Sequence, residues 1–287
     1  MESLLPPELE REIFEFTACL HPGMVRQLVL VGRRVFEWIQ PFLYRTIMVS
    51  PGSQSLAAFS RAIQNLPPNS SFFRNSVQNL FVHHAPWLVS DALQILSSCP
   101  GIVNFAMMVT NPSVLPLLET KRLEHLSISL AQLFDNGSIL QNLTHPLFAH
   151  ITHLALFDYV QHEKHWSTLG LLPALTHLCL HSYIRRSQLL RVLAECKRLE
   201  VLVNMHINAE PEWGRADICG RLAIHDDPRL VLYTLEVSTH AFARDWERGR
   251  RGKKDFWAVA EAFVNKKRMG QITPASRCWI CDFDEVY

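Results

Sequence analysis

Three histidines recur in one short motif: His125 in "LEHLSI", His153 in "ITHLAL" and His177 in "LTHLCL". Related segments put Asn79, Asn104 and Val201 in the same place, in "VQNLFV", "IVNFAM" and "LEVLVN". Imidazoles can ligate zinc, carry a proton near neutral pH or hydrogen-bond a partner. With Cys179 two residues after His177 and His181 two further on, the residue types for a zinc site are present. Zinc, however, needs convergent tetrahedral ligands. Equivalent side chains on neighbouring strands instead stand side by side, about 4.8 Å apart. The motif therefore reads as a partner-binding stripe or a solvated sheet surface, with metal ligation the reading that geometry favours least.

Other reactive residue types lead nowhere specific. Cys278-Trp-Ile-Cys281 is a lone C-x-x-C without the second pair that structural zinc requires. No G-x-S-x-G, phosphate loop, H-E-x-x-H or glycine-rich nucleotide turn occurs, so neither an enzyme nor a cofactor is expected. The basic run Arg248 to Lys254 suggests nuclear import or a nucleic-acid patch. Asp245, Glu247 and Asp255 dilute it, no aromatic platform accompanies it, and the net charge is only +1, so nucleic acid is not an expected partner. The start "MESLLPPELERE" carries four acidic residues and no apolar run, unlike a secretory signal. The long uncharged run Ala92 to Leu118 is broken by Pro100, Gly101, Pro112 and Pro116 and reads as core, with no membrane partner. Seven scattered cysteines suit a reducing compartment, so a cytoplasmic or nuclear location is expected.

The motif begins at residues 77, 102, 123, 151, 175 and 199, at intervals of 25, 21, 28, 24 and 24, and "RTIMV" at 45 offers an earlier start. Alternation predicts a short strand in each unit, its fourth and sixth positions facing the core and its third and fifth facing the other way. Between the strands lie helix-like segments. "SDALQILSSCPG" offers Ser90 or Asp91 as its cap, and "SQLLRVLAECKR" offers Ser187. Three apolar anchors at roughly 1.5–3 kcal/mol each cannot order two dozen residues, so neighbouring units must stack. Spacing and signature resemble the leucine-rich repeat, which implies an α/β solenoid of parallel strands with helices on its convex side. The third and fifth positions would then project from an exposed concave sheet. Asn79, Phe81, Asn104, His125, Ser127, His153, His177 and Cys179 are accordingly the expected client-binding residues.

Residues 4 to 47 have a different texture. Pro6 and Pro7 open a helix with Leu9, Ile13 and Phe16 on one stripe, and His21-Pro22-Gly23 breaks it. Met24 to Gly32 reads as a second helix, and Arg33 to Ile39 as a third that Pro41 ends. The order L-P-x-E-L-x-x-x-I-F, L-V-x-V-x-R, W-I-x-P-x-L-Y resembles an F-box, in the form found ahead of leucine-rich repeats in F-box-like proteins of mushroom-forming fungi. That resemblance implies docking on the Skp-type adaptor of a cullin-RING ubiquitin ligase, with Leu5, Pro6, Leu9, Ile13, Leu28 and Val31 as adaptor contacts. At the other end, Asp255 caps a helix with Trp257, Ala260, Phe263 and Val264 on one stripe, which reads as the solenoid's C-terminal cap. The expected organisation is a three-helix F-box-like domain over 1–47, a solenoid over 48–235, and a cap helix and tail over 236–287. The expected function is a non-catalytic substrate receptor joining an unknown protein client to the ligase. The alternative is a ligase-independent interaction scaffold with a degenerate F-box.

Overall fold

The computed structural model describes residues 5–51, 54–65, 72–83, 88–134, 143–158, 168–181, 184–207, 227–235 and 239–280. Three helices come first: α1 (Pro7–Leu20), α2 (Val25–Leu28) and α3 (Arg33–Leu43). Pro7 sits in the first turn of α1, where a missing N–H leaves no bond unmade. Ala18, Val25, Leu28, Val35 and Ile39 form the small core of this bundle. Pro41 does not end α3 as expected. It lies in the last turn, and the helix runs on to Leu43.

The rest of the chain is built on one eight-stranded sheet, entirely parallel and in strict sequence order. Its strands are β1 (Thr46–Val49), β2 (Asn79–Val82), β3 (Asn104–Met107), β4 (His125–Ile128), β5 (His153–Leu156), β6 (His177–Leu180), β7 (Val201–Ile207) and β8 (Leu230–Leu235). Each of the six motif strands starts on the third residue of its motif, and equivalent positions pair across every junction from Asn79↔Asn104 to His177↔Val201. Parallel neighbours need a crossover between them. Here it is supplied by α4 (Gln54–Asn65), α5 (Phe72–Ser76), α6 (Val89–Ser98), α7 (Leu115–Leu118), α8 (Leu130–Leu133) and α9 (Arg186–Glu195), together with short 3-10 turns. The arrangement is a solenoid-like α/β fold.

The helix side of the sheet holds the larger core. Every first-position anchor (Val77, Ile102, Leu123, Ile151, Leu175, Leu199) and every fourth-position anchor from Leu80 to Leu202 is buried there. At the sixth position β7 substitutes Asn204, fully buried, whose Nδ2 donates to the Leu180 carbonyl at 3.2 Å. The expected helix caps are not used. Leu88 precedes α6, while α9 follows Arg185, whose N–H donates to Gln188 Oε1 at 2.8 Å.

The other sheet face differs from expectation. It is covered by α10 (Thr239–Arg250) and α11 (Phe256–Arg268). Phe81, Ala106, Ala155, Cys179 and Val203 on the sheet join Phe242, Trp246, Phe256, Trp257, Ala260 and Phe263 on these helices in a second core. A parallel sheet buried on both faces is the usual solution for this strand arrangement. Asp255 caps α11 as expected, accepting from the Ala258 N–H at 3.0 Å. The helix is no end cap, however, because it lies on the strand face. The exposed edge of β8 is instead met by the following segment, where Leu232 donates to Cys278 O at 2.6 Å and accepts from Ile280 N–H at 3.2 Å.

Candidate functional site

Third-position side chains form a continuous polar ladder across the first six strands. Asn79 Nδ2 donates to Thr46 Oγ1 at 2.9 Å, and Asn104 Nδ2 donates to Asn79 Oδ1 at 2.6 Å. The imidazoles continue it as a stack, His125 on His153 at 3.9 Å and 9°, His153 on His177 at 4.0 Å and 7°. The repeated Thr-His pair explains their orientation. Thr152 gives its hydroxyl proton to Glu124 O at 3.1 Å, so at 2.9 Å it accepts from His153 Nδ1–H. Thr176 Oγ1 is placed alike, 3.3 Å from Thr152 O and 2.8 Å from His177 Nδ1, but the Glu261 carboxylate beside His177 Nε2 puts the proton of the neutral ring on Nε2 and leaves Nδ1 as the acceptor.

Trp257 of α11 meets both His153 and His177 edge-on, with centroids 5.3 and 5.8 Å away. Glu261 Oε1 comes within 2.8 Å of His177 Nε2. Burial, assisted by the charges of Arg250 and His177, pushes the His125 pKa down to about 3. Burial likewise lowers His153, and for His177 it outweighs the opposing pull of Glu261. His181, enclosed by Phe157 and Phe242, is pushed by burial alone to about 3.

His153, His177 and Glu261 are close enough together to be considered as metal ligands. Their directions argue against it. In rings 4.0 Å apart and 7° from parallel, the two in-plane Nε2 directions run side by side. A cation placed about 2 Å along one of them stands about 4 Å or more from the other nitrogen. Converging them would require rotating both rings against Trp257.

The eight expected client residues are thus divided. Phe81, Ser127, His177 and Cys179 are buried, and His153 lies under Trp257, so none of these is open to a partner while α10 and α11 are in place. The reading of an exposed face is corrected for a plain reason. The fifth positions Phe81, Ala106, Ala155, Cys179 and Val203 are apolar or small, and burying them is worth more than solvating them. That composition was the signal in the sequence.

Asn104 and His125, at the opposite end of the ladder, are half-buried and do border open space, whereas Asn79 beside them is 4% exposed, as buried as His177. They line a partly open cleft of about 1160 Å³ between the N-terminal helices, the first strands and the α10–α11 turn. Arg26, Arg45, Arg250 and Arg251 also line it, against Glu124 and Glu247. Sequence reasoning took Arg250 and Arg251 only as part of a basic run and missed Arg26 and Arg45, because nothing local marks residues that only the fold brings together.

On the N-terminal bundle, five of the six expected adaptor contacts lie on the surface: Leu5, Pro6, Leu9, Ile13 and Val31. Leu28 does not. It is 7% exposed and packs inside the bundle, which corrects its assignment. Leu9, Ile13, Phe16 and Leu20 make one stripe along α1 and are 48, 52, 64 and 57% exposed, with Leu30 at 83% nearby in sequence to Val31.

Among the described residues no helix is long and apolar enough to cross a membrane. Cys281 lies outside the described residues, and its partner in the C-x-x-C, Cys278, is buried. Comparison with protein-family models and with curated proteins found no match for this chain.

Proposed function

We propose that the chain is an F-box-type substrate receptor with a leucine-rich-repeat body, docking through α1 on the Skp-type adaptor of a cullin-RING ligase. The observation that carries this reading is the apolar stripe Leu9, Ile13, Phe16 and Leu20, left bare on a helix whose other face is packed. Contiguous apolar surface of this kind marks interaction sites in soluble proteins. The motif order in residues 4 to 47 supports the choice of partner. The receptor performs no bond chemistry itself. It raises the effective concentration of client lysines near the conjugating enzyme, acting in the cytoplasm or nucleus.

The test is capture of purified Skp-type adaptor by the full chain. Wild type binds, Leu9→Asp and Ile13→Asp lose binding, and both variants keep the wild-type melting temperature. Failure of the wild type to bind adaptor would sink the reading. The second reading, a ligase-independent scaffold, would then stand, because none of the four stripe residues lines the cleft.

A further inference from the structure

We infer that the cleft bounded by the N-terminal helices, β1–β4 and the α10–α11 turn binds an extended acidic peptide segment of a protein client. This deepens the receptor reading and rests on it for the word client, but the cleft's own chemistry carries the ligand class.

Among the described residues, three buried polar atoms on residues lining this one cleft lack a hydrogen-bond partner: Asn104 Oδ1, His125 Nδ1 and Arg250 Nε. Shielded polar atoms normally have partners, so these three, on residues that border one cleft, offer groups that a small rotation of each side chain would present to a ligand. What they ask for is specific. Asn104 Oδ1 needs a donor, Arg250 Nε–H needs an acceptor, and His125 Nδ1 can serve as either. A main-chain amide supplies one donor and one acceptor together. Asn104 and His125 are register partners on adjacent strands, so successive groups of an extended chain can meet them in turn.

Charge supplies the second argument. Four arginines face two glutamates on this lining. Glu247 is occupied by Arg251 at 2.7 Å, and Arg250 turns one nitrogen to Asp255 at 3.3 Å. Arg45 donates to the neutral Gln78 at 2.9 Å, and neither it nor the exposed Arg26 meets a carboxylate among the described residues. Guanidinium groups recognise carboxylates through paired N–H donors, which favours Asp or Glu side chains on the incoming segment.

Size supplies the third. At about 1160 Å³ and partly open, the cleft exceeds the roughly 300–1,000 Å³ typical of small-molecule pockets. A stretch of polypeptide fills it better than a metabolite.

The experiment is selection of randomised nine-residue peptides displayed on phage against the full chain, followed by fluorescence polarisation with the selected consensus peptide. Wild type should enrich Asp and Glu. Arg45→Glu and Arg26→Glu are surface changes expected to keep the wild-type melting temperature. Each should weaken the consensus peptide about tenfold, and the double variant should enrich Lys and Arg instead. Asn104→Asp, which removes the amide donor to Asn79 and adds a negative charge, provides a further variant that should lose binding.

The inference is overturned if wild type enriches no peptides, if it enriches apolar or basic ones, or if acidic binding is unmoved by charge reversal in a folded variant. Adaptor capture on the same preparations separates the two readings. Peptide selection without adaptor capture sinks the ligase and leaves the cleft standing, whereas adaptor capture without peptide selection does the reverse.

Discussion

The stripe on α1 and the ladder face of the sheet are made of the same material, apolar side chains at regular spacing, yet they end in opposite states. Leu9, Ile13, Phe16 and Leu20 stay at the surface, while Phe81, Cys179 and Val203 disappear under Phe242, Trp246 and Trp257. The difference lies in what the chain itself supplies. Residues 239–268 provide two helices whose aromatic faces fit the sheet, and nothing in the described residues covers the stripe on α1. A surface that the chain covers belongs to stability. A surface left bare must find its occupant elsewhere.

The largest effect that tests this contrast is on pH. Buried histidines with lowered pKa values are held neutral in the fold, so their contribution to stability is complete above their unfolded pKa, near 6.5. It is lost as pH falls from there toward about 3 for His125 and His181. Each such histidine removes a factor of about ten from the folding equilibrium per pH unit across that window. Urea midpoints should therefore hold between pH 7.5 and 6.5 and drop steeply from pH 6.5 to 4.5, and His181→Phe should make the drop shallower. A midpoint indifferent to pH would mean the ladder face is wet.

Next in size is truncation of the aromatic cover. Phe242→Ala removes a fully buried ring that touches Phe81, Phe157, His181 and Phe256. It should cost about 3–5 kcal/mol in chemical denaturation. Smaller is the effect at Gly249, where a Cβ would collide with the Asp255 carboxyl group that caps α11. Gly249→Ala should cost about 1–2 kcal/mol, the usual worth of a helix cap. At the bottom of the scale is Phe16→Ala on α1, expected to stay within about 0.5 kcal/mol of wild type in the same assay. If Phe16→Ala costs as much as Phe242→Ala, the stripe on α1 is structural and its role as a docking surface fails.

Much of the sheet was legible in the sequence because alternation has a fixed period. The six motifs locate six strands, each beginning on its motif's third residue, and "RTIMV" contains β1. The stripe Trp257, Ala260, Phe263 and Val264 was legible for the same reason, since helical spacing shows that a face is buried. It cannot show against what, so α11 reads as an end cap when it lies on the strands. The same limit separates Leu28 from Leu9. Both are apolar residues on helices of one bundle, and only the packing of three helices decides which of them turns inward. The Thr-His repeat was visible as a pattern, but its use depends on the preceding strand's carbonyl, a contact between rungs that no single motif contains. The cleft was the least legible feature, because Arg26, Arg45, Asn104, His125 and Arg250 come from five separate elements or turns.

The central claim is that α10 and α11 belong permanently to the sheet and close the His153–His177 end of the ladder. Amide hydrogen exchange of the full chain, read segment by segment, tests it most directly. The account predicts that amides of 242–250 and 257–268 exchange at the rate of β4–β6, by one shared opening. Exchange in those helices orders of magnitude faster than in β4–β6 would show them lifting off, and would return the histidine ladder to the list of open surfaces.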